Sequence, residues 1–354
     1  MALVRRDVKR QVRALSKTQT LGSVCDRLSS GKSIRASEVK PVGAFPVIGG
    51  NGVRGYTDTY NFDGECAVIG RQGAACGNVR FHSGKAYMTE HAVVAVANES
   101  NNSQYLSYLL KTMRLGNLSG QSAQPGLSVK VLSQQAVSLP SLDSQRQAVA
   151  ILGTLDRKIE LNNRLNGYLE ELADTLFQDM LASQADNATL ADVASVTMGQ
   201  SPAGASYNEK GVGTVFYQGR GEFGWRFPTQ RLFTTAPKRM AAANDVLMSV
   251  RAPVGDLNVA YEDCCIGRGL AAISSDHHSF CLYLMRSLKR KLDAFNGEGT
   301  VFGSINGKAL KGLPVYAPPA SAIEAFEAKA SPIDKLISTN EAENRKLEKI
   351  RDAL

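Results

Sequence analysis

The sequence predicts an α+β protein: two pseudo-repeated globular α/β domains separated by two long antiparallel helices that form a coiled coil. Three observations lead there. The first is the stretch PSLDSQRQAVAILGTLDRKIELNNRLNGYLEELADTLFQDML, from Pro140 to Leu181, which has no further proline and two glycines, Gly153 and Gly167. Ile151, Leu155, Leu165, Leu169, Leu172, Leu176 and Met180 set a narrow apolar stripe on one face of it, the pattern of a two-helix seam. A helix of roughly 38 residues is about 57 Å long, suited to spacing two bodies apart rather than to being wrapped by a small core.

The second observation is that this helix occurs twice. A shift of 178 positions places Leu132 on Leu310, Pro140 on Pro318, Leu155 on Ile333, Asp156 on Asp334, Asn162 on Asn340, Leu169 on Leu347, Leu172 on Ile350 and Leu176 on Leu354. The expected seam is therefore Leu155, Asn162, Leu169, Leu172 and Leu176 with Ile333, Asn340, Leu347 and Ile350. Asn162 and Asn340 stand at one shared point, where a buried amide meeting a partner amide fixes register at some cost in stability.

The third is the division of the net charge of +8. Residues 1–140 carry 17 Lys+Arg against 8 Asp+Glu, and residues 183–319 carry 14 against 11. The helical stretches 141–182 and 320–354 are mildly acidic. Basic globular parts suit a polyanionic partner, and the helices suit protein contacts.

Taken in order, the elements are these. Residues 1–17 form a basic helix or tail, with Val4, Val8, Val12 and Leu15 at near-helical spacing among five Lys or Arg. Domain one, 18–140, opens with TLGSVCDRLSSGKS; domain two, 183–319, opens with the counterpart TLADVASVTMGQSP from Thr189. FPVIGGNGVRGY (Phe45 to Tyr56) is a strand against a tight Gly-Gly-Asn-Gly turn. Glu65 to Ala97 and Asn244 to Ser274 then alternate strands with turns, and in each an apolar strand leads to an arginine, Arg71 or Arg251, at the same point. Helices follow at Asn102 to Arg114 and Ser279 to Phe295, and then polar glycine-rich loops from Gly116 and Asn296. Such loops on a rigid scaffold often carry binding residues. In the second copy of the spacer, Pro332 falls where the first helix runs through Thr154. The helix proper is thus expected to start there, after a short separate one.

Several classes are disfavoured. No apolar run approaches the roughly 20 residues of a membrane span, and the N-terminus lacks a signal-peptide core, so a cytoplasmic location is expected. The six cysteines form no CxxC pair and read as reduced structural thiols. Asp256, Glu262 and Asp263 read as solvated turn carboxylates rather than a metal site. Two side-chain questions stay open. Arg71 and Arg251 either reach a base or phosphate or hold their turns by ion pairs. The loop with Arg220, Phe223, Trp225, Arg226, Phe227 and Arg231 either wedges against bases or packs its aromatics on the core.

The wording of PSLDSQRQAVAILGTLDRKIE (Pro140 to Glu160) and NDVLMSVRAPVGDLNVA (Asn244 to Ala260), within a twice-repeated domain-helix order, resembles the specificity subunit of type I restriction-modification systems. The resemblance covers nearly the whole chain. It implies two target-recognition domains that each read one half of a split, asymmetric DNA sequence, with the helices as a ruler. It implies no catalytic site here: two methyltransferase subunits and motor-nuclease subunits supply the chemistry, with S-adenosylmethionine, ATP and Mg bound in those partners and no cofactor in this chain. The candidate DNA contacts are Asn51, Arg54, Arg71, Gln72, Arg80, Gln121 and Gln124 in domain one and Arg220, Arg226, Arg231, Arg251, Arg268 and Asn306 in domain two. The chain lacks the Asn or Asp before Pro-Pro-Tyr/Phe of an adenine methyltransferase. The other reading is a coiled-coil scaffold that binds only proteins.

Overall fold

The computed structural model describes residues 17–119, 126–181, 185–297 and 303–354. The basic segment before Lys17 and the loop residues Gln121 and Gln124 lie outside them. The chain divides into two compact units, Met1–Arg157 and Lys158–Leu354.

In the first unit, β1 (Lys17–Thr20) pairs antiparallel with β8 (Ala136–Leu139), so the domain's first and last strands close on each other. Between them lie β2 (Cys25–Ser30), β3 (Phe45–Gly49), β4 (Gly52–Thr57), β5 (Phe62–Gly70), β6 (Val79–Met88) and β7 (Ala92–Ala97), in a six-stranded sheet of order β2-β7-β5-β6-β3-β4. The AVI run of β5 and the AVV run of β7 are buried and rich in β-branched residues, as central strands require. Helix α1 (Ser103–Thr112) is N-capped by Asn102 and buries Leu106 and Leu110 against Ile69, Val93 and Ala95. A short α2 (Val129–Ser133), capped by Ser128, leads into β8.

Helix α3 (Leu142–Leu181) follows as one 40-residue helix that runs from the first unit into the second. Gln145 fixes its start to the first domain: its side chain accepts from the Asn102 amide at 2.9 Å and donates to Asn101 and to the Pro140 carbonyl.

The second unit repeats the plan. Strand β9 (Ala188–Thr189) pairs with β19 (Pro314–Val315), and α4 (Leu190–Val193) buries Leu190 as the first unit buries Leu21. Strands β10 (Ser195–Met198), β15 (Val246–Ser249), β16 (Leu257–Val259) and β18 (Leu270–Ser274) form a sheet of order β10-β18-β15-β16. The short strands β11 (Tyr207–Asn208), β12 (Thr214–Tyr217), β13 (Phe233–Thr234), β14 (Met240–Ala241) and β17 (Cys264–Ile266) make a second sheet in this half. Helices α5 (His278–Ser287) and α6 (Lys289–Asp293) stand where the first half has α1, and α7 (Gly307–Lys311) where it has α2.

The last helix, α8, runs unbroken over Ala320–Ala353 with Pro332 inside it, not as the two segments the proline predicts. A proline there removes one donor to the carbonyl four residues back. Packing outweighs that loss: Phe326 and Ala330 before the proline and Ile337 after it are all buried in the second unit's core.

Within that unit α8 lies antiparallel to α3, since Asn162 meets Asn344 and Asn166 meets Asn340. The seam runs through Ile159, Asn162, Asn166, Leu169, Ala173, Leu176 and Met180, alternating steps of three and four, against Ile333, Ile337, Asn340 and Asn344. Leu169, Leu176 and Ile333 are half-buried against the core of the second unit, Leu347 is half-buried, and Leu155 is half-buried in the first. Leu172 and Ile350, expected in the seam, are about half exposed (50% and 51%). The seam positions nearest them are taken by Ala173 and, on the other helix, by Leu347. Phe177, absent from the predicted stripe, is fully buried and packs on Phe326, Phe280 and Tyr283. No helix among the described residues is long and apolar enough to cross a membrane.

Candidate nucleic-acid interface

In the first domain the sheet's end gathers five of the candidates. The β3-β4 hairpin turns at Gly50 and Asn51, and Asn51 and Arg54 are exposed. Gly52 has φ +104°, and a side chain there would meet the Arg80 guanidinium, whose Nη1 lies 3.3 Å from the position a Cβ would take. The hairpin's Gly50 also abuts Gly70 and the Arg71 amide, which donates to the His91 carbonyl at 2.9 Å. The glycine-rich loop is tied to the same point: the Leu127 amide donates to the Arg71 carbonyl at 2.9 Å, and Gln72 bridges to Gly126. Arg71 itself is half-buried and lies within 3.5 Å of Ser30 Oγ, whereas Gln72 is exposed. A second basic concavity is lined by Arg80, Lys111 and Arg114, of which sequence pattern marks only Arg80.

In the second domain Arg220, Arg251 and Arg268 line one cleft of about 360 Å³ with Ser201, Gln218 and Glu222. All three arginines are exposed, and Asp256 holds Arg220 at 2.9 Å. The loop at Ser304 is tied in as in the first half: Arg251 bridges to Ser304, and the Ile305 amide donates to the Val250 carbonyl at 3.0 Å. Arg251 and Arg268, with Arg220 held by Asp256, give the cleft the kind of donors that phosphate oxygens accept from.

Other candidates are placed differently. Arg226 is 4% exposed and donates to Tyr283 Oη at 3.1 Å and Asp334 Oδ1 at 3.0 Å, with Glu170 at 3.7 Å. It joins its loop to both long helices, and its burial removes it from any nucleic-acid surface. Neither reading of this loop foresees an arginine buried in ion pairs with the long helices. Phe227 packs in the core, while Trp225 stays 52% exposed. Arg231 is exposed but paired with Glu222 at 2.8 Å and Glu209 at 3.2 Å, and the Glu222 hydrogen bond holds its guanidinium still more firmly protonated. Asn306 is the N-cap of α7, its Oδ1 accepting from the Ala309 amide at 2.9 Å, which gives its side chain a structural task. The two strand-end arginines are not equivalent either. The matched backbone hydrogen bonds put Arg71 level with Val250 and Gln72 level with Arg251.

Among the described residues no group of three or more His, Cys, Asp or Glu is placed to hold a metal ion. Asp256 pairs with Arg220 and Lys289, Asp263 accepts from the Ala243 amide, and Glu262 accepts from Gln230. All six cysteines are free, and burial pushes the thiols of Cys25, Cys66, Cys264 and Cys281 up to about 12, so they stay protonated and unreactive.

Each domain is also fastened to a long helix by one kind of bond. Tyr108 of α1 donates to Asp156 at 2.7 Å, and Tyr283, at the same position of α5, donates to Asp334 at 3.0 Å. Asp156 and Asp334 coincide under the 178-residue shift, and so do Asn166 and Asn344, whose role no apolar pattern reveals. The Asn162 amide donates to Asn344 at 2.9 Å and Asn340 donates to Asn166 at 2.7 Å, one pair being the image of the other under the shift.

Comparison with known proteins adds the following. Residues 15–171 and 183–352 each match the model of the type I restriction modification DNA specificity domain. A protein of Methanocaldococcus jannaschii, named as the MjaX type I restriction enzyme specificity subunit, is 30% identical over 308 residues, which is 78% of this chain and 72% of that one. The EcoprrI specificity subunit of Escherichia coli is 38% identical over 144 residues, 40% of this chain and 36% of its own length. The crystal structure of a type I restriction-modification S subunit from M. genitalium shares the fold, with a TM-score of 0.62 at 16% identity over 96% of this chain and 94% of that one.

Proposed function

Because this chain belongs to the type I restriction-modification DNA specificity family, we propose that its two domains read the two unlike halves of one bipartite, asymmetric DNA target. Specificity subunits are DNA-recognition subunits without catalysis of their own, and they work in a complex with other subunits. In this reading two methyltransferase subunits dock on the chain and methylate an adenine in each half, and motor-nuclease subunits join them for restriction. S-adenosylmethionine, ATP and Mg belong to those partners, and the assembly works in the cytoplasm. The paired helices set the spacing and phase of the two half-sites, as a dimer axis does in repressors. Lysines and arginines hold phosphates without regard to sequence, and exposed polar groups at the strand ends read bases.

The observation that carries the reading is the recurrence of one backbone frame, a strand end tied to a polar loop, in both domains with different side chains on it. One frame used twice with unlike readers suits two unlike half-sites. The test is selection from a library of randomised duplexes by the chain bound to its methyltransferase partner. A two-part word of fixed spacing should be enriched, with affinity falling steeply as salt rises. Recovery of the complex with no enriched word and no salt dependence would instead mark a scaffold that binds only proteins.

A further inference from the structure

We propose that Gln72 and Arg251 are the equivalent base-reading positions of the two domains, Gln72 directed to an adenine and Arg251 to a guanine. The inference rests on the DNA-specificity reading and names the residues through which it acts.

The equivalence comes from backbone bonds rather than from matching like residues. Strand β5 pairs with β7 up to Gly70 opposite Ala92, after which the Arg71 amide donates to His91. Strand β15 pairs with β18 up to Ser249 opposite Leu270, after which the Val250 amide donates to Gly269. The next two links also correspond: Leu127 to the Arg71 carbonyl and Ile305 to the Val250 carbonyl, then the bridges Gln72 to Gly126 and Arg251 to Ser304. The following residue is the N-cap of a short helix in both cases, Ser128 or Asn306. Five consecutive features therefore fix the register, and it sets Gln72 on Arg251.

Burial agrees with that register. Successive side chains of extended backbone point to opposite sides. At the inner position Arg71 is half-buried and Val250 is buried; at the next, Gln72 and Arg251 are both exposed. Gln72 is extended, with φ −143° and ψ 160°. The outer position is thus the one that a ligand approaching the strand end meets in either domain.

The chemistry differs there in a way DNA can read. A glutamine amide offers one donor and one acceptor, matching adenine N7 and N6 in the major groove, and a guanidinium offers two donors, matching guanine O6 and N7. Arg251 also has Arg268 in its cleft to hold a flanking phosphate, Arg220 being paired with Asp256, which leaves the Arg251 fork for a base.

The test uses the full chain co-expressed with its methyltransferase partner, with methylated motifs read by base-resolved sequencing for wild type, Arg251→Gln, Arg251→Lys, Gln72→Arg and Gln72→Ala. The wild-type motif is the control, and its absence would sink the parent reading rather than this one. Arg251→Gln should change preference at one position of one half-site from guanine toward adenine. Arg251→Lys, which keeps the charge, should lower discrimination at that position by about ten-fold. Gln72→Arg should shift a single position of the other half-site toward guanine, and Gln72→Ala should relax it. Purified complexes are then titrated against duplexes bearing each single-base change. Weakening that is equal for every duplex would make these residues phosphate contacts and overturn the proposal. So would motifs unchanged in all four variants, or changes that fall in both half-sites at once.

Discussion

The two domains grip their helices alike and carry different side chains at their strand ends. Tyr108 to Asp156 and Tyr283 to Asp334 are one bond made twice, as are the Asn162–Asn344 and Asn166–Asn340 pairs. At the strand ends, by contrast, the backbone frame is shared but carries Arg71 and Gln72 in one half and Val250 and Arg251 in the other. The second half also adds a fastening of its own, Arg226, whose buried guanidinium reaches Glu170 on α3 and Asp334 on α8. What repeats is the fastening of domain to helix; what differs is the set of side chains carried on the shared strand-end frame.

The sharpest way to break this comparison is to remove its asymmetric piece. Arg226→Met should leave Asp334 without its buried cation, while Glu170 keeps Arg286 at 2.8 Å, and cost about 3 kcal/mol, read by denaturant unfolding. Motif analysis of that variant should show the second domain's half-site degraded and the first domain's intact. Next in size is the asparagine seam. Asn344 accepts from Asn162 and donates to Asn163, so Asn344→Ala should cost about 1–3 kcal/mol through the polar atoms left behind. Changing Asn162, Asn166, Asn340 and Asn344 together to Leu should instead keep or raise stability while loosening register, visible as more than one spacing between half-sites.

Smaller still, Tyr108→Phe and Tyr283→Phe should each cost about 0.5–1.5 kcal/mol. The Tyr283 variant should lose more, because its hydroxyl also accepts from Arg226. Smallest is a pH effect. Hydrogen bonds from the Asn162 amide and from Lys158 hold the Glu343 carboxyl below the usual range. A lowered acid contributes stability above the ordinary glutamate range and loses it as pH falls through the lowered value. Acid titration of unfolding should show that loss in wild type and a flatter profile in Glu343→Gln.

The general plan of the fold was legible because the helix repeat is a chain-wide pattern: the shift that aligns Asn162 with Asn340 marks both helices and brackets both domains. Its details were less so where tertiary packing decides. Pro332 reads as a break, but aromatic and aliphatic residues on either side bury into one core and hold the helix through it. Leu172 looks like a seam residue because it is apolar, while the seam positions are filled by Ala173 and two asparagines that hydropathy passes over. At the candidate site, Arg71 and Arg251 look equivalent because they are the same residue. Their backbone partners lie in other strands, so the one-residue offset is visible only in three dimensions. Arg226 likewise looks like a DNA ligand until its partners are seen to be Glu170 and Asp334, distant in sequence.

The most direct test of the central claim is single-molecule sequencing of genomic DNA from cells that express this chain with its methyltransferase subunit, against cells without the chain. A single new motif of two unlike parts at fixed spacing, with adenine methylated in both, is the predicted result. A symmetric motif, a one-part motif, or no motif from cells in which the two proteins co-purify would contradict the account.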